Sequence, residues 1–219
     1  MDILKYNGQS QEDKFVLNTL QFKKNGYFVE IGSNHPVMSN SSYVLESQYN
    51  WRGIIVDFDH DLVQQYKELR PKSIQHYDDA PQFDYASIFK VNSVPRKLDY
   101  LHINLVESNG STIQTLQNLD STVFDRYTFA TVTFKHDIYY SNDHNTRVVS
   151  REIFKKRGYV PVFLDINNDG INYPYQDWYV HPTLVNMDYV QQLITLNSSK
   201  NLTYSKTGTT ISWAQIEYP

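Results

Sequence analysis

Short apolar runs alternate with stretches of helical periodicity along most of this chain. The first run, Tyr27 to Ile31, breaks at Gly32, and a second run, Gly53 to Val56, ends in Asp57. Short runs of this composition predict strands, and segments with apolar residues three and four positions apart predict helices. Because strands alternate with helices, the pattern indicates an α/β fold with a mostly parallel sheet and helices on both faces.

Start and stop signals set the boundaries of these elements. Asn25-Gly26 and Gly158 each end a predicted helix, and Pro161 suits an edge strand or a bulge. The predicted strands are 27–31, 53–58, 73–77, 98–105, 129–134 and 159–166, and the predicted helices are 12–24, 40–49, 61–69, 85–90, 111–119, 147–157 and 187–196. Residues 201–213 predict a β-hairpin around Thr207 and Gly208. We expect one domain, 1–219, with a helical segment at 1–25 and a helix-and-hairpin extension at 183–219.

Composition narrows the classes of function. The chain has 219 residues, with 18 Tyr, 11 Phe and no Cys, so it can bury a core but forms no disulfide, zinc–thiolate site or thiol nucleophile. Its net charge of −4 offers no surface for a polyanion, and we expect no nucleic-acid partner. No apolar run approaches the ~20 residues of a membrane span. With no signal peptide visible either, we expect a cytoplasmic protein.

The turn after the first strand limits the class of ligand. Gly32 is its only glycine, and the chain lacks the GxGxxG and GxxxxGK[ST] turns whose backbone cradles phosphates. Acids accompany the strands instead, at Glu30 and Asp57. A nucleoside that has no phosphate and carries a cationic group suits such a unit, and S-adenosylmethionine (SAM) is such a molecule.

Polar side chains accompany the ends of five successive predicted strands. They are Glu30, Asp57, the pair Asp78 and Asp79, Asn104, and Lys135 to Asp137. The carboxyl ends of parallel strands share one edge of a sheet, and ligands bind there, near the point where the strand order reverses. We therefore expect these residues to form one binding rim.

In its motifs and their order, the segment from Gln11 to Pro182 resembles the FkbM-type family of SAM-dependent O-methyltransferases. The similar segments are GYFVEIGSNHPVMSNSSYVLE, WRGIIVDFD, LDYLHIN, FKHD and YQDWYVHP. The resemblance implies a Rossmann-like class I methyltransferase fold, SAM as cofactor, and methyl transfer to a hydroxyl group. The acceptor that we expect is a carbohydrate or glycoconjugate, and the protein is expected to be a monomer or a homodimer.

The resemblance also implies a set of cofactor contacts. They are Glu30, Gly32, Asn34, Asn40, Asp57, Asp78 and Asp79. Glu30 would face the methionine end of SAM, Gly32 would let the backbone approach, and Asn34 and Asn40 would hydrogen-bond to the ligand. Asp57 would accept from both ribose hydroxyls, since two carboxylate oxygens match two vicinal donors. The acidic pair would hold the adenine amino group. The alternative for Asp57 is that it only caps a helix, and the alternative for Asp78 and Asp79 is that they lie in a solvated loop without a ligand.

For catalysis, His136 is the predicted base, because it follows a core strand at the rim and Asp137 could orient it. Glu107 and Asp177 are the carboxylate alternatives. Where the family has an acid after the fourth strand, this chain has Asn104, which cannot take a proton or bind a divalent metal as a carboxylate can. Three explanations are open. Glu107 or Asp137 has assumed the role of that acid, the acid is dispensable in this chain, or the chain binds SAM without methylating.

Trp178 and Tyr179, beside Asp177, are the predicted acceptor-binding residues, because aromatic rings stack on the apolar faces of sugars; packing at an edge strand is the alternative. The histidines and aspartates within 136–144 have generic loop spacing, and we predict no metal site there. Two further hypotheses stay open. One is a SAM-binding protein of this fold without catalysis, and the other is a non-enzymatic binding module with no nucleoside ligand.

Overall fold

The computed structural model describes residues 5–32, 35–105, 110–136, 145–168, 171–198, 204–205, 208–209, 211–212 and 216–219. The helices are α1 (Glu12–Thr19), α2 (Tyr43–Tyr49), α3 (His60–Leu69), α4 (Tyr85–Val91), α5 (Ser111–Thr122), α6 (Thr146–Lys156) and α7 (Met187–Ser198). The strands are β1 (Tyr27–Ile31), β2 (Arg52–Asp57), β3 (Ile74–Tyr77), β4 (Lys97–Ile103), β5 (Thr128–Lys135), β6 (Val160–Asn168), β7 (Ile171–Val180), β8 (Tyr204–Ser205), β9 (Gly208–Thr209) and β10 (Ile211–Ser212). No helix within these ranges is long and apolar enough to cross a membrane.

Eight of the strands form one sheet, in the order β10-β6-β7-β5-β4-β1-β2-β3. Strands β1 to β5 are parallel to one another, whereas β7 runs antiparallel to both β5 and β6. The order reverses between β1 and β4, so the carboxyl ends of these two strands flank the switch point at which ligands bind in open α/β sheets. The predicted mostly parallel sheet is confirmed.

Helices cover both faces of the sheet, as the continuous apolar strands require. Within β1, Phe28 belongs to the apolar layer that includes residues of α1, α2, α3 and α7. Its neighbours Val29 and Ile31 belong to the opposite layer, which includes residues of α4, α5 and α6. This alternation follows from the two-residue period of a strand, and it anchors β1 rigidly at the centre of the sheet.

Several elements differ from the predictions or extend them. Helix α1 ends at Thr19, before the predicted boundary at 24, because the chain turns at Gln21 and Phe22, where φ is positive. Strand β7 was not predicted as a separate strand; Pro174 lies inside its run and obscures the signal. Strands β8 and β9 pair antiparallel, which confirms the predicted hairpin, while β10 joins the main sheet beside β6.

The prediction for Pro161 is also confirmed. Among the described residues, β10 pairs with β6 at Ile166 and Asn167, away from the end of β6 that carries Pro161. The register with β7 shifts between Pro161 and Phe163 and shifts again between Phe163 and Ile166. A residue without a backbone N–H is tolerated at such an irregular edge.

Candidate functional site

A cavity of about 480 Å³ lies outside the carboxyl ends of β1 to β4. Its lining comes from the loops after these strands and from the start of α5: Gly32, Val56, Asp57, Phe58, Asp78, Asp79, Ala80, Pro81, Asn104, Leu105 and Ser111. The cavity therefore occupies the topological switch point. It brings together four residues that the sequence predicted for one rim, Asp57, Asp78, Asp79 and Asn104, with Gly32, which the family resemblance implied.

The floor of the cavity depends on Gly32. Its backbone N–H donates to the carbonyl of Val56 at 2.9 Å, and the N–H of Asn104 donates to the carbonyl of Ile31 at 2.9 Å. Gly32 has a φ of 72°, and a Cβ at this position would lie 2.6 Å from the carbonyl oxygen of Asn104. Both the conformation and the space require glycine, which keeps the ends of β1 and β4 close together.

Carboxylates line one side of the cavity. Asp57 ends β2, and its Oδ1 accepts a hydrogen bond from the N–H of Asp59 at 3.0 Å. Asp59, not Asp57, caps α3 by accepting two backbone hydrogen bonds. The capping alternative for Asp57 is therefore wrong. The exposed pair Asp78 and Asp79 follows β3, and the N–H of Asp78 donates to the carbonyl of Asp57 at 3.1 Å.

An exposed aromatic ring stands at the same wall. Phe58, which the sequence reasoning did not select, is 69 % exposed and stacks on Tyr77 with 5.9 Å between the ring centroids. The His60 ring packs edge-on against the same Tyr77 ring, with 5.5 Å between the ring centroids. A planar, apolar ligand group would cover the ring of Phe58 and remove it from water. The sequence signal that could have identified Phe58 is its position directly after Asp57, the acid at the end of β2.

Asn104 supplies an unsatisfied acceptor to the opposite wall. Its Oδ1 is buried, and no donor among the described residues reaches it. A buried acceptor of this kind is rare in folded proteins and is expected where a ligand brings the missing donor. The cavity thus offers acceptors for hydroxyl, amino or ammonium groups, together with one open aromatic face.

Glu30 and Asn40 do not line the cavity, and the structure corrects their predicted direct contact with a ligand. Each is 1 % exposed. The carboxylate of Glu30 accepts hydrogen bonds from Ser42 Oγ at 2.6 Å and from Asn40 Nδ2 at 3.1 Å. Burial raises the pKa of Glu30 to about 7, although Arg70 opposes the rise. These hydrogen bonds tie β1 to Asn40 and Ser42, just before α2.

Arg70 joins this support from the end of α3. Its Nε donates to Glu46 Oε2 at 2.9 Å, and one terminal nitrogen donates to the carbonyl of Pro36 at 2.9 Å and to Asn40 Oδ1 at 3.0 Å. The side chains of Arg70 and Glu46 are 1 % and 4 % exposed. The sequence showed no sign of this role, because nothing local indicates that Arg70 turns inward.

A second group of charged residues surrounds His136 at the end of β5; we call it the His136 cluster. The ring is fully buried, and its Nε2 lies 3.4 Å from Oδ1 of Asp177 and 3.7 Å from Oδ1 of Asp165. Arg151 donates to both carboxylates, at 2.7 Å to each, and Arg147 pairs with Asp165. The two arginines lie four positions apart on α6 and so share one face, a spacing that the sequence did display.

The structure corrects the predicted acceptor-binding set. Asp177 and Trp178 are 0 % exposed and Tyr179 is 2 % exposed, because β7 lies between β5 and β6. The Trp178 ring packs on Phe15 and Phe163, with centroids 4.9 and 6.0 Å away, and the Tyr179 hydroxyl donates to Asp177 Oδ2 at 3.1 Å. No ring face is open to a sugar. Asp177 is likewise no free base, since its oxygens already accept from Arg151 and Tyr179.

Three predicted site residues, Asn34, Glu107 and Asp137, lie outside the described residues, and their roles stay predictions. The same holds for the whole loop 137–144. Among the described residues, the structure adds Asp165, Arg147, Arg151 and Phe58 to those that the sequence selected.

No protein-family model matches this sequence, and the curated proteins contain no match. Solved structures do match in fold. An rRNA-methylase candidate from Clostridium thermocellum has a TM-score of 0.52 and 13% identity, over 81% of this chain and 97% of that one. The methyltransferase candidate SMU.1697c from Streptococcus mutans, in complex with SAH, has a TM-score of 0.50 and 9% identity, over 81% and 99%. The METTL16 methyltransferase domain has a TM-score of 0.52 and 8% identity, over 78% and 66%. The chain has the Rossmann-like fold of class I SAM-dependent methyltransferases.

Proposed function

We propose that this chain is a SAM-dependent O-methyltransferase that methylates a hydroxyl group of a carbohydrate or glycoconjugate. The observation that carries the proposal is the cavity at the switch point. It combines a glycine floor, a strand-end carboxylate, an open aromatic ring and an unsatisfied amide oxygen in one place. Support comes also from the fold, which is shared with a methyltransferase candidate solved in complex with SAH.

Each wall of the cavity fits one part of SAM. Asp57 would accept hydrogen bonds from the two ribose hydroxyls, and Phe58 would stack on the adenine ring. The carboxylate of Asp78 or Asp79 would accept a hydrogen bond from the adenine amino group. The free Oδ1 of Asn104 would accept from the ammonium of the methionine part. When bound, SAM supplies a methyl group that its sulfonium activates for displacement.

The protein's task is then to align the attacking oxygen and remove its proton. Alignment supplies up to about 7–11 kcal/mol of the barrier when the geometry is right. A positioned base adds roughly 100- to 10,000-fold. We keep His136 as the proposed base, because it follows β5 at the same rim and is the buried histidine beside two carboxylates.

The carbohydrate acceptor rests on the family resemblance and on the acidic net charge, since Trp178 and Tyr179 are buried. A second candidate is a SAM-binding protein without catalysis. Asn104 favours this candidate, because it stands in the cavity lining where the family has an acid. Transfer of labelled methyl from SAM to a panel of simple glycosides separates the two candidates.

Calorimetric titration with SAM tests the cofactor first, with NAD as the ligand control. We expect Asp57→Asn to weaken SAM binding by roughly 10- to 100-fold, since hydrogen bonds to a charged group are worth about 1.5–3 kcal/mol. Asp188→Asn, an exposed acid on α7, is the matched control and should bind SAM like the wild type. Absence of binding by both SAM and its demethylated product would refute the proposal and leave the fold alone.

A further inference from the structure

The amino ends of the parallel strands β1 to β5 lie at the edge of the sheet opposite the cavity, and exposed cations stand there. Arg52 is the first residue of β2. Lys72 precedes β3 by two residues, Arg96 precedes β4 by one, and Arg126 precedes β5 by two. All four side chains are exposed. Because parallel strands begin at the same side of a sheet, these cations lie along one edge.

Two smaller cavities that share one segment of chain open at this edge. The lining of the first, of about 300 Å³, includes Arg52, Lys72, Asn92 and Ser93. The lining of the second, of about 150 Å³, includes Lys90, Arg96 and Arg126. The segment 90–96 contributes to both linings, so the two cavities adjoin. Among the described residues, no Asp or Glu lines either of them, whereas three Asp line the cavity at the carboxyl ends.

We call the five cations of these linings, Arg52, Lys72, Lys90, Arg96 and Arg126, the basic edge. No carboxylate within the described ranges forms an ion pair with any of them. Three acids that contact or adjoin the lining residues have other partners: Asp99 pairs with Lys23, Glu46 with Arg70, and Asp125 with Arg157. A concentration of exposed cations without compensating acids creates a positive potential that attracts an anion.

Two buried tyrosines hold the arginines of the basic edge in place. Cζ of Arg96 lies 4.7 Å from the ring centroid of Tyr127, and Cζ of Arg52 lies 5.7 Å from that of Tyr27. A guanidinium held over a ring presents a planar fork that matches two oxygens of a phosphate, and little side-chain entropy is left to lose. Tyr127 and Tyr27 are only 6 % and 7 % exposed, so neither ring offers a face to a nucleobase. The basic edge therefore suits a phosphate and not a base.

Neutral donors stand between the cations. Asn92 Nδ2 donates to the carbonyl of Ile88 at 2.9 Å, which leaves its second hydrogen for a ligand, and Ser93 adds a hydroxyl group. Contacts to a nucleic-acid backbone come from such a mixture of Arg, Lys, Asn and Ser side chains. A lipid surface would instead favour an amphipathic helix with a continuous apolar face. Val91 and Ile74 are exposed apolar residues at this edge, but they belong to a helix and a strand and do not form such a face.

The length of the basic edge fits several phosphates in a row. Four strand spacings of about 4.8 Å separate β5 from β3 in the order β5-β4-β1-β2-β3, so the edge from Arg126 to Lys72 is roughly 19 Å long. One strand of nucleic acid carries a phosphate about every 3.4 Å along its helix axis. Roughly five phosphates therefore fit along the edge, as many as it has cations.

We propose that the basic edge binds a strand of nucleic acid through its phosphate backbone, without reading its bases. The expectation of no nucleic-acid partner rested on the net charge of −4, which sums the acids around the cavity and the cations of this edge. Because the basic edge lies opposite the cavity, the strand is a partner of the protein and not the methyl acceptor. The inference does not rest on the proposed function.

Fluorescence anisotropy with a labelled single-stranded RNA of about 20 nucleotides, which is longer than the edge, tests this proposal. Five phosphate contacts predict a slope of about −3.5 for log K against log[salt], which is a loss of affinity of roughly 100-fold between 50 and 200 mM salt. A uridine-only strand and a mixed sequence should bind equally, because no base is read.

Variants of the arginines locate the binding surface. Arg52→Gln and Arg96→Gln should each reduce the magnitude of the slope by about 0.7, and together by about 1.4, because each removes one phosphate contact. Arg52→Lys keeps the charge and should keep the slope. Lys5→Gln is the matched control, since Lys5 is exposed and the nearby Asn7 contacts Val37, which follows β1 at the opposite edge. Its slope should equal that of the wild type.

Absence of RNA binding at about 50 mM salt would overturn the inference. Binding with a salt slope that Arg52→Gln and Arg96→Gln leave unchanged would also overturn it, as would a strong preference for one sequence. Vesicles that contain phosphatidylserine test the lipid alternative, and binding to them without binding to RNA would overturn the inference in favour of a membrane surface. Failure of the wild type to bind SAM refutes only the proposed function, whereas loss of RNA binding alone refutes only the role of the basic edge.

Discussion

Replacement of Arg70 by methionine should destabilise the protein far more than the loss of an exposed ion pair. The guanidinium is buried with Glu46 and also holds the carbonyl of Pro36 and the side chain of Asn40. Methionine fills similar volume but leaves the Glu46 carboxylate without its cation. Breaking one side of a buried pair costs about 3–5 kcal/mol. For a domain of this size that loss lowers Tm by roughly 6–20 °C.

Urea denaturation followed by circular dichroism measures this loss, with Lys156→Met as the matched control. Lys156 is 71 % exposed and lies 3.8 Å from Asp120, so its removal should cost at most about 1 kcal/mol. The double variant Arg70→Met, Glu46→Leu should recover part of the loss, because no Glu46 carboxylate is then left buried without its cation. Equal losses for Arg70→Met and Lys156→Met would refute the reasoning.

Three further variants test other parts of the site. Gly32→Ala should cost more stability than Gly158→Ala in urea unfolding. Both glycines have a positive φ, which costs an alanine about 1–2 kcal/mol. A Cβ at position 32 would also lie 2.6 Å from a backbone carbonyl oxygen, whereas a Cβ at position 158 would lie 3.6 Å from the nearest atom, in the His181 side chain. Burial lowers the pKa of His102 to about 3 in the folded protein. As the pH drops below about 6.5, the unfolded chain therefore takes up a proton at His102 before the folded protein does, and the free energy of unfolding falls. The stability advantage of the wild type over His102→Gln should therefore shrink by about 2 kcal/mol from pH 7 to pH 5, and a constant difference would contradict the assigned burial. Phe58→Ala should weaken SAM and adenosine alike by roughly 10- to 100-fold in calorimetry, the usual value of a base stacked on an aromatic ring, and unchanged affinity for both would remove Phe58 from the cofactor site.

The local pattern of the sequence determined the central part of the fold. Alternation of strands and helices is a property of short segments, so β1 to β5 and the helices between them are readable without tertiary information. Because parallel strands place their carboxyl ends at one edge, the same pattern predicted that Asp57 and Asn104 would meet, and the family resemblance added Gly32. These three residues line one cavity in the structure.

Tertiary structure alone decided which polar residues turn inward and what they meet. Glu30 lies in β1 at the rim as predicted, yet its carboxylate points to Ser42 and Asn40 and not into the cavity. Trp178 was predicted to be available to a sugar, but β7 lies between β5 and β6, and the ring is buried against Phe15 and Phe163. The His136 cluster joins residues from β5, α6, β6 and β7, and a bulge supplies one of its carboxylates. Periodicity reports the face and the end of an element, but burial and charge pairing depend on segments distant in sequence, and only the packed chain brings those together.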